Sequence, residues 1–171
     1  MYSTGELKVI NADSAVAVIE VKSSIKKETF FTTLEAFEKL QKLGIRNKFI
    51  FVFGSVSKQS LSNWFFQFKY TKNDNNEWIA MDTELYDWSD KEWLPNSILS
   101  LKSCKYYVLD HLQDDKNDWV GYASYNFVDT KNAEVSCLQK FLASVMDLIN
   151  GVFEVDWNDY SIKDGFPLCR F

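Results

Sequence analysis

Ala15-Val16-Ala17-Val18-Ile19-Glu20-Val21-Lys22 is the stretch on which the reading of this chain turns. Five consecutive apolar residues predict a β-strand over 15–22, suited to a central position buried on both faces. Side chains two apart on a strand share a face, so Glu20 and Lys22 point the same way. Two charges beside so apolar a strand are costly unless they are paired, hydrated or metal-bound. Ser23-Ser24 then breaks the strand.

The pattern continues outward in both directions. Residues 26–43 read as an amphipathic helix, with Phe30, Leu34, Phe37 and Gln41 on one stripe and Gly44 as its C-cap. Residues 47–53 (Asn-Lys-Phe-Ile-Phe-Val-Phe) read as a second buried strand. Strand, helix and strand with short links predict a right-handed crossover between parallel strands. Upstream, 7–10 reads as a short strand and 11–14 as a turn. Downstream, the expectations are a helix over 60–72, a polar loop at 73–76 and a short strand at 78–81. An aromatic loop with Trp88 and Trp93 follows, then strands at 97–101, 106–112 and 119–127. Leu138, Phe141, Leu142, Val145 and Ile149 mark a last helix over 132–150, and 152–171 reads as an irregular tail.

Composition bounds the class. At 171 residues the length fits one domain, 1–171, with a core of its own. No apolar run approaches the roughly 20 residues of a membrane span, and Met1-Tyr2-Ser3-Thr4-Gly5-Glu6 lacks the basic and apolar regions of a signal peptide. The expected location is therefore cytoplasmic, with no membrane partner. Cys104, Cys137 and Cys169 are far apart and odd in number, which fits free thiols better than a zinc site or a disulfide framework. A single histidine, His111, cannot build a His-based metal site. Aromatic residues make up 16% of the chain, enough to suggest an aromatic surface for a partner protein or a second copy as well as a core.

Net charge is −5 with a pI near 4.9, which weighs against strong nucleic-acid binding, since phosphate neutralisation supplies most non-specific affinity. Lys22, Lys26, Lys27, Lys39 and Lys42 form a modest basic cluster in sequence near the candidate site, although a solvated helix face accounts for it more simply. No Gly-rich phosphate loop, G-x-S-x-G or H-E-x-x-H motif occurs.

Glu20-Val21-Lys22 after an apolar strand and before a helix resembles the second half of the PD-(D/E)xK motif of restriction-endonuclease-like nucleases. The segment 17–25 is similar to a family of uncharacterised bacterial domains in that superfamily. Phe49-Ile50-Phe51-Val52-Phe53 looks like its next core strand, and Leu94-Pro95-Asn96-Ser97-Ile98 like its Leu-Pro turn. Val120-Gly121-Tyr122 and Leu138-Gln139-Lys140-Phe141-Leu142 look like its C-terminal end. The resemblance spans most of the chain, but only E-x-K is specific to chemistry.

The resemblance implies an α/β fold: a three-layer restriction-endonuclease-like core with a mixed central sheet flanked by helices. It implies metal-dependent phosphodiester hydrolysis of DNA. Glu20 and the Val21 carbonyl would be ligands to Mg²⁺, and Lys22 would orient water or stabilise developing charge. Glu35 or Glu38 would be more distant supports. The family also carries an upstream Asp as its other metal-binding carboxylate. Here the one Asp before Glu20 is Asp13, roughly 20 Å away along an extended chain, and Glu6 is a weak substitute. The expectation is therefore a chain that lacks the Asp-bearing strand and is a weak or inactive nuclease. The competing expectation is a non-enzymatic binding or regulatory module that keeps the fold.

Overall fold

A computed structural model describes residues 15–80, 93–113, 118–127, 132–150 and 164–167. The strand and turn expected at 7–14, Glu6, Asp13, Trp88 and Cys169 lie outside the described residues.

The described residues build a three-layer α/β fold. Strands β1 (Ala17–Lys22), β2 (Asn47–Val52), β5 (Ser97–Ser100), β6 (Lys105–Gln113), β7 (Asp118–Asn126) and β8 (Asp164–Pro167) form one sheet in the order β1-β2-β5-β6-β7-β8. β1, β2 and β5 are parallel, and β6, β7 and β8 follow antiparallel. The expected crossover is present: α1 (Lys27–Lys42) joins β1 to β2, which pair in parallel from Ala17 opposite Asn47 to Lys22 opposite Val52. Helix α2 (Lys58–Lys69) follows β2, and the small hairpin of β3 (Tyr70–Lys72) and β4 (Trp78–Ala80) follows α2.

Each layer follows from side-chain periodicity. Phe30, Thr33, Leu34 and Phe37 bury one stripe of α1, at the i, i+3, i+4, i+7 spacing of an amphipathic helix. They meet Leu61 and Phe65 of α2 over Ile50, Val52, Ile98, Tyr107 and Tyr122 of the sheet. Phe30 packs edge-on against Phe65 at 4.9 Å, and Phe65 stacks on Tyr122 at 5.1 Å. On the opposite face, Cys137, Phe141 and Val145 of α3 (Ala133–Asn150) cover Phe49, Phe51, Leu99 and Tyr106. Phe141 lies edge-on to Phe49, Phe51 and Tyr106. α1 stops where expected: Gly44 takes φ +85°, a left-handed conformation that suits glycine, and its N–H donates to Gln41 O.

Several expectations are corrected. The helix expected at 60–72 runs Lys58–Lys69, and its last three residues are β3. A strand pairing claims Tyr70–Lys72 because Tyr70, Thr71 and Lys72 find partners in Ala80, Ile79 and Trp78. The tail expected to be irregular supplies β8, which pairs with β7. β1 was expected to be central and buried on both faces. Among the described residues it pairs only with β2 and ends the sheet, with Ile19 and Val21 exposed. A strand placed last in a sheet is covered only as far as the helices reach, whatever its hydropathy. No described helix is long and apolar enough to cross a membrane.

Candidate functional site

The strand period brings Glu20 and Lys22 together as expected. They share the face of β1 that carries Val18, which packs into the α1/α2 core, so the strand passes from apolar to charged as it approaches its C-terminal end. There Lys22 Nζ forms an ion pair with Glu20 Oε1. Both side chains are about one third exposed, 37% for Glu20 and 29% for Lys22, and neither charge is taken fully out of water. Val21 points to the other face, so it could offer this site only its carbonyl.

The surroundings are built from the loops at the C-terminal ends of the parallel strands. Phe53 N–H donates to Lys22 O, and Gly54 N–H donates to Ser23 O. These bonds extend the β1–β2 pairing beyond the strands and fix the start of the loop into α1. A Cβ at Gly54 would lie 3.0 Å from Ser23 O, so a larger residue there would push the two loops apart by a few tenths of an ångström. Ser100 is fully buried at the end of β5. Its hydroxyl accepts from Val56 N–H at 2.8 Å and lies 2.6 Å from Ser103 Oγ. Ser57 accepts from Ser60 N–H at 3.0 Å and starts α2. Sequence reading missed Ser100 and Gly54 as supports of this edge. A serine closing a strand carries no local signal of the distant amide it satisfies.

The remaining sequence candidates are dispersed. Lys26 and Lys27 precede and open α1 close after Lys22, with Lys27 Nζ 5.5 Å from the Phe31 ring centre. Lys39 and Lys42 lie in the last turn of α1, about 18 and about 22 Å beyond Lys27 along the axis at 1.5 Å per residue. They do not join the Glu20–Lys22 neighbourhood, so the cluster seen in sequence is split by the rise of the helix. Glu35 is exposed on α1 and Glu38 is half-buried there. His111 lies within β6, paired with Val120. Cys104 and Cys137, the latter on α3, are buried free thiols in the core between α3 and the sheet.

Magnesium requires near-octahedral oxygen ligation and gives up water reluctantly. Among the described residues no group of three His, Cys, Asp or Glu side chains converges, and the Glu20 carboxylate is already engaged by Lys22. The described residues therefore do not by themselves make a Mg²⁺ site.

No family model, curated protein or solved structure matches this chain.

Proposed function

We propose that this chain is a restriction-endonuclease-like module carrying the E-x-K half of a phosphodiester-hydrolysis site. The observation that carries the reading is the Glu20–Lys22 pair. It stands on one face at the C-terminal end of an apolar strand, which a helix joins to its parallel neighbour. The C-terminal edge of parallel strands is the usual place for a ligand in open α/β sheets. Lys22 is the group suited to negative charge on a phosphate, and Glu20 is the carboxylate that sets its position. A complete site requires a second carboxylate beyond the described residues or from a second chain. Hydrolysis by the chain alone is accordingly weak. The acidic net charge lowers nucleic-acid capture further, less so at low salt.

The test is plasmid and single-strand cleavage at low salt with Mg²⁺ and with Mn²⁺, comparing the chain with Glu20→Ala and Lys22→Ala. The expected result is slow cleavage abolished by either substitution. Robust cleavage abolished by both would mean a complete site. Cleavage indifferent to both would remove Glu20 and Lys22 from the chemistry.

A second reading is a non-enzymatic binding or regulatory module on the same fold. The engagement of the Glu20 carboxylate by Lys22, with no metal-binding group of three side chains among the described residues, favours it. Absence of cleavage, with no metal-induced change in melting temperature, would decide for it.

A further inference from the structure

The face of the sheet opposite Glu20 and Lys22 carries an apolar step. Its floor is Ile19 and Val21 of β1 together with Phe53, whose ring lies 4.7 Å from that of Phe51. Its riser is one side of α3. Phe141 points into the sheet against Phe49 and Phe51, and successive residues on a helix are about 100° apart. Lys140 turns one way, where its Nζ lies 5.3 Å from the Tyr125 ring on β7. Leu142 turns the other way, toward β1. Val135 and Met146, seven residues before Leu142 and four after it, fall on the same side. Among the described residues α3 thus covers β2, β5 and β6 and leaves Ile19 and Val21 of β1 exposed.

Six residues of this step, Ile19, Val21, Phe53, Val135, Leu142 and Met146, are each between 40% and 56% exposed. Together they present on the order of 500 Å² of apolar surface, the size of the largest patch on a typical monomer, which is often functional. The charged residues of α3 are Glu134, Lys140 and Asp147, and none lies on the Val135-Leu142-Met146 side.

We propose that a second copy of this chain covers the step, in a two-fold symmetric dimer. Three features select a second copy. A step is complementary to itself under a two-fold rotation: the α3 ridge of one copy drops onto the β1 floor of the other, and the reverse. Its height is one helix diameter, so the two α3 helices come to lie side by side at helix-packing distance over a continuous floor. Among the described residues the six of the step are also uncharged in a chain of net charge −5, so two copies meet there without direct charge repulsion. The area approaches the ~800 Å² per partner of a standard interface but falls short of it, which places the association in the weaker, concentration-dependent class.

Sedimentation equilibrium of the full chain from about 1 to about 200 μM tests this. The expected result is a mass rising from 20.0 kDa toward twice that value. Val21→Glu on the floor and Leu142→Glu on the riser each shift the midpoint upward at least roughly tenfold. Lys39→Glu, exposed on α1 across the sheet, leaves it unchanged. Circular dichroism melts establish that the variants fold, and two variants on different elements guard against either one failing to do so. A chain monomeric across the whole range overturns the proposal. So does monomeric protein whose β1 and α3 amides are protected from exchange, because another part of the same chain then covers the step. A dimer insensitive to both substitutions, or assembly beyond a dimer, overturns it as well.

Discussion

Burial decides what individual residues can do in this fold. Cys137 is fully buried on the sheet-facing side of α3. Desolvation, reinforced by the neighbouring Cys104, pushes its thiol from the usual 9.0 up to about 12. The neutral thiol is therefore the folded form. In the unfolded chain the thiol loses its proton near pH 9. Between about 9 and about 12 the unfolded state binds fewer protons than the folded one, and stability falls as pH rises through that window. Burial also raises Tyr106 and Tyr122, whose contribution to the loss has the same sign and sets in near their ordinary value of 10.0, within that window. Thermal melts from pH 8 upward should show the loss, with a shallower decline in Cys137→Ala across that window. A decline of equal slope in wild type and variant would remove Cys137 as a contributor. In the folded protein at pH 8 the same thiol should resist alkylation, because the thiolate is the nucleophile.

At the scale of elements, one residue, Asn96, pins the start of the β2–β5 pairing through its side chain and its backbone. Asn96 Oδ1 accepts from Lys48 N–H at 2.7 Å, and Asn96 N–H donates to Lys48 O at 2.7 Å. This two-way clamp sets the register in which Phe49 lies opposite Ser97. It also anchors Lys48, whose fully buried side chain donates from Nζ to Arg46 O at 3.0 Å. Asn96→Ala leaves the Lys48 amide without its side-chain acceptor and should cost about 1–3 kcal/mol, the desolvation penalty of an unsatisfied buried group. Chemical denaturation with an unchanged m-value would register that loss. A change within about 0.5 kcal/mol would mean that water replaces the side chain and that the clamp is dispensable. In sequence Asn96 belongs to a Leu-Pro-Asn turn. Nothing local to it indicates a partner 48 positions away.

For the whole molecule, the sheet is protected unevenly. β2 has β1 on one side and β5 on the other, with α1 and α2 over one face and α3 over the other. β8 pairs only with β7 among the described residues. Opening β2 requires breaking both core layers, whereas β8 can detach from one neighbour. Native-state hydrogen exchange should therefore find the amides of residues 49–52 among the slowest and those of 164–166 faster by orders of magnitude. Equal protection at both places would indicate a single cooperative unit with no separable edge.

The parallel β1-α1-β2 unit is legible in the chain alone, because strand and helix periodicities and the stop at Gly44 are local properties. The sequence determined the pairing of Glu20 with Lys22 for the same reason: a period of two places them on one face in any strand. It did not determine which face of β1 is covered. That depends on where α3 lies, which is set by contacts of Phe141 with strands nearly a hundred residues away in sequence. The end position of β1, the separation of Lys39 and Lys42 from Lys22, the burial of Lys48 and the β8 pairing were likewise decided only in three dimensions. Each depends on which distant segment becomes a neighbour, and hydropathy along the chain records how much surface is to be buried but not against what.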